Sequence, residues 1–199
     1  PTQVMQPGRD HLQPTLSQDE IRAKALETEP LRLLFLGNLI RRKGVHTLLS
    51  ALACIPLSNW ALRVVGDEQA DRKYVRYLRD QFRQLGLENN IRFLGAISPQ
   101  EVANEMDAAN LLVIPSEYEG YGIAYLEAMG YAVVPVASSA GGAGELIHHG
   151  QNGYLVDPGD VHALREIITA VLSDRKELHR LSLSAKRTYE QHATRVEGA

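Results

Sequence analysis

Short apolar runs alternate with amphipathic stretches along most of this chain, and each kind of stretch predicts a different element. Runs of mainly apolar residues that end in glycine or proline indicate buried strands, whereas apolar residues at helical spacing indicate amphipathic helices. The predicted strands span residues 31–37, 60–66, 91–95, 110–115, 131–137 and 153–156. The predicted helices span residues 45–55, 71–86 and 144–150, and others begin at Ser98-Pro99, near Tyr121 and in two stretches after Asp160.

The regular alternation of strand and helix predicts an α/β fold. Nearly all-apolar strands are typical of a parallel sheet that helices cover on both faces. We therefore expect a Rossmann-like, doubly wound parallel sheet of about six strands. In such sheets ligands bind beyond the carboxyl ends of the strands, where the three motifs described below lie. Residues 1–30, which are rich in proline, glutamine and charge, predict an irregular lead-in.

Composition and charge exclude some classes of function. The 199 residues, 44% of them hydrophobic, suit one domain with a full core or, alternatively, two small domains. A net charge of -3 provides no general attraction to nucleic acid or to anionic lipid. No apolar run approaches the ~18 residues that a membrane span needs. The single cysteine, Cys54, lies in an apolar pattern, so we expect its side chain to be buried. Because one cysteine cannot form an internal disulfide, the expected location is the cytoplasm.

The stretch "GNLIRRKG", residues 37–44, joins the first predicted strand to a helix. Arg41, Arg42 and Lys43 crowd the N-terminus of that helix, which already carries partial positive charge. A phosphate or another polyanion would offset this charge. The alternative is three solvated side chains on a loop, and the stretch matches neither G-x-G-x-x-G nor G-x-x-x-x-G-K-[ST].

The stretch "PSEYEGYGIAYLEAMG", residues 115–130, leads from a strand into a helix and contains two carboxylates. Its glycines allow a ligand to approach the backbone, and the helix N-terminus offers free N–H groups to an anion. If the helix begins near Tyr121, Glu127 lies ~9 Å from that start along the helix axis. Glu119 and Glu127 would then lie on either side of the anion. Each carboxylate could accept hydrogen bonds from the hydroxyls of one sugar ring. Alternatively, Glu127 pairs with an arginine and Glu119 is a surface loop residue.

A third stretch, "SSAGGAGELI" at residues 138–147, follows the fifth predicted strand. A tight glycine-rich turn explains most of it without a functional role. His148 and His149 follow, but their surroundings lack the spacing of a metal site. We interpret them as residues near the end of the predicted helix 144–150.

Taken together, these motifs resemble the C-terminal donor-binding domain of a retaining GT-B glycosyltransferase of family 4 (glycosyl transferases group 1). The resemblance runs from about Leu31 to Leu172. "GNLIRRKG" is similar to the family pattern G-R-L-x-x-x-K-G, and Glu119 and Glu127 match its E-x7-E signature. "AMGYAVVPVASSAGGAGELI" and "GQNGYLV" follow in the order usual for the family.

The resemblance implies a role for each matching residue. Lys43 would contact the donor diphosphate, Glu119 would hold hydroxyls of the transferred sugar, and Glu127 would bind the ribose. Backbone N–H groups from Gly120 to Ile123 would line the sugar phosphate, and Ile97 would lie near the base. The implied catalytic residues are Lys43 and Glu119, and the implied donor-binding set is Gly37, Asn38, Lys43, Ile97, Glu119, Gly120, Tyr121, Gly122, Ile123 and Glu127. The family usually has arginine at the position of Asn38, so one bidentate cation is lost from the diphosphate site.

The function implied by the resemblance is transfer of a hexose from a nucleoside diphosphate sugar to a hydroxyl acceptor, without a metal or other cofactor. Residues 1–30 would form an interdomain linker, residues 31–175 the donor domain, and residues 176–199 a helix toward a missing N-terminal acceptor domain. The chain alone would then be inactive. Its exposed interdomain face would allow two copies of the chain to associate. The intact enzyme would be cytoplasmic, with peripheral membrane attachment as an option. An epimerase-type GT-B relative and a noncatalytic nucleotide-sugar-binding module remain alternatives.

Overall fold

The computed structural model describes residues 16–28, 30–120 and 122–197 of the chain. Its strands are β1 (Leu31–Leu36), β2 (Trp60–Val65), β3 (Ile91–Gly95), β4 (Leu111–Ile114), β5 (Val134–Ser138) and β6 (Tyr154–Val156). Its α-helices are α1 (Gln18–Leu26), α2 (Val45–Leu52), α3 (Arg72–Gln84), α4 (Pro99–Ala108), α5 (Ile123–Gly130), α6 (Val161–Ser173) and α7 (Arg175–Glu197). Within these ranges, none of the helices is both long enough and apolar enough to cross a membrane.

The strands form one six-stranded sheet in the order β3-β2-β1-β4-β5-β6, and all neighbours pair in parallel. This confirms the predicted Rossmann-like, doubly wound parallel sheet. All residues of β4 and β5 are buried, as expected for strands that helices cover on both faces. The strand order reverses between β1 and β4, so the loops that leave these two strands border a crevice at the carboxyl edge.

Local capping signals fix the starts of several helices. Ser98 accepts a hydrogen bond from Glu101 N while the Glu101 side chain accepts from Ser98 N, and Pro99 occupies the first helical position of α4. Asp71 and Asp160 cap α3 and α6 in a similar way. The predicted start at Ser98-Pro99 is therefore confirmed.

The prediction of an irregular lead-in is wrong for residues 18–26, which form α1. A capping box of Ser17 and Glu20 begins this helix, and Ile21 and Ala25 are buried where it packs against α7. The "S-x-x-E" signal was present in the sequence, but the surrounding polar composition concealed it. Residues 1–15 lie outside the described part of the chain.

The prediction of a helix over residues 144–150 is also wrong, because only one 3-10 turn forms, at Gly142–Glu145. The side chain of Asn152 accepts a hydrogen bond from His148 N (2.7 Å) and donates one to Leu146 O (3.0 Å). These are backbone groups that a continuing helix would have used. His148 and His149 therefore do not lie at a helix end.

Strand β5 begins three residues later than predicted, at Val134 rather than at residue 131. Ala132 N and Val133 N donate to the carbonyls of Met129 and Ala128, so these residues close the end of α5 before the chain enters the sheet. The prediction for Cys54 is wrong as well, since its side chain is exposed beyond the end of α2.

One lysine connects α1 to the carboxyl ends of two other helices. Lys24 Nζ donates hydrogen bonds to Asp107 O (3.0 Å) in the last turn of α4 and to Tyr131 O (2.9 Å) just beyond α5. A cation is favourable at the carboxyl end of a helix. Burial nevertheless lowers the pKa of Lys24 to about 8, because it disfavours the charged form.

This lowered pKa predicts how stability changes with pH. Between about pH 8 and pH 10 the unfolded chain keeps the Lys24 proton that the folded chain has released, so stability should rise with pH in this window. From pH 7.5 to pH 9.5 the rise due to Lys24 should be about 2 kcal/mol, and Lys24→Met should remove it. Urea unfolding at both pH values measures this, with the exposed Lys73→Met as control. An identical rise in wild type and Lys24→Met would contradict the assignment.

Candidate functional site

Two loops meet across the crevice at the carboxyl edge, one after β1 (residues 37–44) and one after β4 (residues 115–122). Gly44 has a left-handed φ of 74°, and a Cβ atom there would lie only 2.0 Å from Pro115 O, so only glycine permits this approach. Glu117 N donates to Arg42 O (2.8 Å), and Arg42 Nη1 donates to Tyr118 O (2.5 Å). The two loops are therefore joined by one backbone hydrogen bond and by one bond from the Arg42 side chain.

The centre of this junction is an ion pair between Lys43 and Glu119. Lys43 Nζ lies 2.6 Å from Glu119 Oε2, and the side chains are only 16% and 17% exposed. The hydroxyl of the buried Ser116 donates to the same carboxylate oxygen at 3.0 Å. Gly37 lies beside the lysine, since a Cβ atom on it would contact Lys43 Cε at 3.6 Å. The structure thus brings Lys43 and Glu119 into direct contact, although the sequence motifs assigned them to different parts of a ligand.

The glycine-rich turn after β5 holds the backbone of Glu119. Glu119 N donates to Ala140 O (3.2 Å), and Gly142 N donates back to Glu119 O (3.1 Å). A Cβ atom on Gly141, whose φ is 109°, would lie 1.8 Å from Glu119 O. The turn therefore serves to fix Glu119 in place, which extends the tight-turn interpretation of this stretch.

The N-terminus of α5 opens next to this junction. None of the described side chains caps the helix, Ile123 is 50% exposed, and a Cβ atom on Gly120 would meet nothing within 4 Å. Gly122 precedes the helix in a left-handed conformation. Uncapped N–H groups at an accessible helix N-terminus favour an anion. Tyr121, which was expected to contribute to this site, lies outside the described residues.

Glu127 lies inside α5, four residues after the first residue of the helix. The helix begins at Ile123 rather than near Tyr121, which shortens the expected offset of Glu127 from ~9 Å to ~6 Å along the axis. Burial raises the pKa of Glu127 to about 7. The side chain of Glu127 makes no hydrogen bond or ion pair with the described residues, so the alternative of an arginine partner finds no support among them. A half-buried carboxylate of this kind is typical of functional sites.

The remaining expected site residues, Asn38 and Ile97, lie on the same edge of the sheet, and their side chains make no hydrogen bond to Lys43 or Glu119. Asn38 is exposed on the loop after β1, and Ile97 is half-buried after β3, the edge strand. Arg41 lies over the ring of Tyr77 on α3, at 5.9 Å from its centroid. Of the three cations in residues 41–43, only Lys43 therefore reaches Glu119.

The structure also contains residues at this site that sequence patterns had not identified. Ser116 donates to Glu119, and Gly141 permits the approach of the turn after β5. Either could have been suspected from its place after a strand, but no local pattern distinguishes them. No group of three or more His, Cys, Asp and Glu side chains suited to a metal occurs within the described ranges.

Comparisons with family models, curated proteins and solved structures all identify similar glycosyltransferases. The family model for glycosyl transferases group 1 matches residues 17–188. A glycogen synthase from Mycobacterium tuberculosis is 32% identical over 167 residues, which are 82% of this chain and 39% of that protein. The crystal structure of Anabaena HepE in complex with UDP-glucose is similar, with a TM-score of 0.77 and 31% identity over 88% of this chain and 49% of that chain.

A third similarity concerns the fold alone. The C-terminal domain of a glycosyl transferase group 1 family protein from Francisella tularensis has a TM-score of 0.75 and 24% identity, and the match covers 89% of this chain and 93% of that domain. The chain spans about two fifths of the length of the curated relatives that it matches. The fold described above is therefore that of one half of a GT-B enzyme.

The burial of Glu127 predicts a cost in stability. The folded chain holds a proton on Glu127 between about pH 4.5 and pH 7, whereas the unfolded chain has released it, so stability should fall as the pH rises through this window. Glu127→Gln should therefore stabilise the empty domain at pH 8 by about 1–2 kcal/mol, a discounted value because part of the side chain meets water. At pH 5 only a small part of this difference should remain.

Urea unfolding at pH 5 and pH 8 measures this difference. The exposed Glu88→Gln is the matched control, since it makes the same chemical change without burial. Equal stabilities of wild type and Glu127→Gln at pH 8 would contradict the cost assigned to this carboxylate.

Proposed function

The chain belongs to the family of glycosyl transferases group 1, and we propose that it is the donor-binding domain of a retaining glycosyltransferase. The reaction proposed for the intact enzyme is transfer of a hexose from a nucleoside diphosphate sugar to a hydroxyl acceptor. The observation that carries this proposal is the Lys43–Glu119 pair in the crevice between the loops of β1 and β4, next to the open N-terminus of α5.

The diphosphate is the part of the ligand for which the charges provide most support. Lys43 and the uncapped N-terminus of α5 present positive charge from two sides of the crevice. A diphosphate between them would satisfy free N–H groups and would compete with Glu119 for the lysine. Asn38 would face the same end of the ligand, with a neutral amide where an arginine would add charge.

The two carboxylates would bind the sugar rings on either side of the diphosphate. Glu119 is the acceptor proposed for hydroxyls of the transferred sugar, and Glu127 the acceptor for the ribose hydroxyls. Hydroxyl donors stabilise the ionised form of a carboxylate. A ribose at Glu127 would therefore lower its raised pKa and offset the cost of its burial.

Catalysis in this proposal rests on charge stabilisation of the leaving diphosphate. Lys43 and the dipole of α5 would neutralise the negative charge that develops as the bond between sugar and phosphate breaks. Metal independence is part of the proposal, as is retention of configuration. UDP-glucose is bound to the similar HepE, so UDP-sugars are the first donors to test, with Ile97 proposed near the base.

Three further predictions accompany the proposal. The chain alone transfers no sugar, an exposed interdomain face allows it to self-associate, and the protein is cytoplasmic. Incubation of the chain with nucleotide sugars and a panel of acceptors tests the first of them.

The first test of the proposal is binding of a nucleoside diphosphate in EDTA. Lys43→Ala should weaken this binding by about 1.5–3 kcal/mol, because a hydrogen bond to a charged group is lost. Isothermal titration calorimetry measures the affinities, and Lys73→Ala on the exposed face of α3 is the control. Unchanged affinity in Lys43→Ala would remove the diphosphate assignment, and a strict need for Mg²⁺ would remove metal independence.

The second test separates the two carboxylates. Glu127→Ala should weaken both the nucleoside diphosphate and the nucleotide sugar, because both ligands contain ribose. Glu119→Gln should weaken only the nucleotide sugar, and it should bind the bare diphosphate no more weakly than wild type, because Lys43 is freed from its partner. A strong loss of diphosphate binding in Glu119→Gln would show that the roles are wrongly assigned.

A further inference from the structure

Ser116 occupies a buried position directly behind the candidate site. It follows β4 after one proline, its side chain is fully buried, and its backbone N donates to Ile114 O at 2.9 Å. Its hydroxyl donates to Glu119 Oε2 at 3.0 Å. The short loop from residue 116 to residue 119 therefore turns back on itself, and the serine supports the carboxylate from the protein side.

The two oxygens of the Glu119 carboxylate have different surroundings. Lys43 Nζ (2.6 Å) and Ser116 Oγ (3.0 Å) both donate to Oε2. Oε1 accepts no hydrogen bond from the residues that the structure describes. A carboxylate has room for about four donors. Oε1 is thus the oxygen with capacity for a ligand hydroxyl, and Oε2 is the one by which the protein holds the group.

The two donors to Oε2 differ in how they respond to an anion. Lys43 is a flexible point charge, and a diphosphate carries more negative charge than one carboxylate. The serine hydroxyl is uncharged and buried, so a diphosphate has little effect on it. Binding of a diphosphate therefore draws Lys43 away from Glu119 and leaves the hydrogen bond from Ser116.

We propose that Ser116 is a positioning residue, which keeps Oε1 of Glu119 directed at the hydroxyls of the donor sugar once Lys43 has moved to the diphosphate. This inference rests on the proposed function. The Lys43–Glu119 pair neutralises both charges, and a diphosphate that binds exchanges one partner of the lysine for another. The serine holds the carboxylate through this exchange.

The test compares two ligands on one variant. Wild-type chain is first titrated by calorimetry with UDP-glucose, GDP-mannose and ADP-glucose, and the tightest donor is then used beside its own nucleoside diphosphate. Ser116→Ala should bind the diphosphate within twofold of wild type but the nucleotide sugar about five- to tenfold more weakly, as expected for one lost hydrogen bond. A purely structural role would weaken both ligands alike.

Three further measurements make the result specific. Ser116→Thr keeps the hydroxyl and should restore most of the lost sugar affinity. Ser182→Ala removes a hydroxyl from another buried serine, on α7, and should leave both affinities unchanged. In a Glu119→Gln background, Ser116→Ala should cause less than a twofold further loss, because the two residues act together. Urea unfolding confirms that each variant is folded before titration.

The outcomes separate this inference from the proposed function. If wild type binds the donor but Ser116→Ala loses nothing, or loses both ligands equally, the role of Ser116 is wrong while donor binding stands. If wild type binds neither a nucleoside diphosphate nor a nucleotide sugar, the proposed function fails and the inference fails with it. An additive loss in the Glu119→Gln background also overturns the role of the serine.

Discussion

The pairing of β1 with β4 is the constraint on which the candidate site depends. These neighbouring strands are aligned through Leu33 with Leu111 and Leu34 with Leu112, and the order of the sheet reverses between them. The loops that follow the two strands are consequently brought side by side. Lys43 and Glu119, which lie 76 positions apart in the chain, meet at 2.6 Å only because of this alignment. The backbone approach at Gly44 then brings the loops close enough for contact.

The polar groups at this edge of the sheet are arranged at some cost in folding stability. Glu127 is half-buried, and neither a partner for its side chain nor a cap for the N-terminus of α5 occurs among the described residues. Partial burial of the Lys43–Glu119 pair requires both charges to lose water. Proteins tolerate local violations of this kind chiefly where a ligand compensates for them. These three features belong to the loops after β1 and β4 and to α5, which begins at the end of the second loop. Their occurrence in neighbouring elements is the physical argument for a binding site there.

The two ends of α5 have different surroundings. Its N-terminus is open to the crevice, whereas lysines from other helices donate to carbonyls at its far end, Lys24 to Tyr131 O and Lys186 to Gly130 O. Cations at the carboxyl end stabilise the helix dipole and fix the helix in position. The helices that flank the sheet, α1 and α7, thus hold α5 from behind while its other end faces the site.

Local pattern in the sequence determined the sheet and most of the helices, and it supplied the candidate residues of the site. Apolar runs identified all six strands, Ser98-Pro99 marked the start of α4, and the motifs nominated Lys43, Glu119 and Glu127 as candidates, because these signals depend on near neighbours in the chain. Tertiary structure decided what depends on distant partners. Asn152 replaced a predicted helix with a turn, contact with α7 stabilised α1, and pairing of β1 with β4 joined Lys43 to Glu119. The support of Glu119 by Ser116 was likewise visible only in three dimensions, since a buried hydroxyl acquires its role from the atom that it contacts.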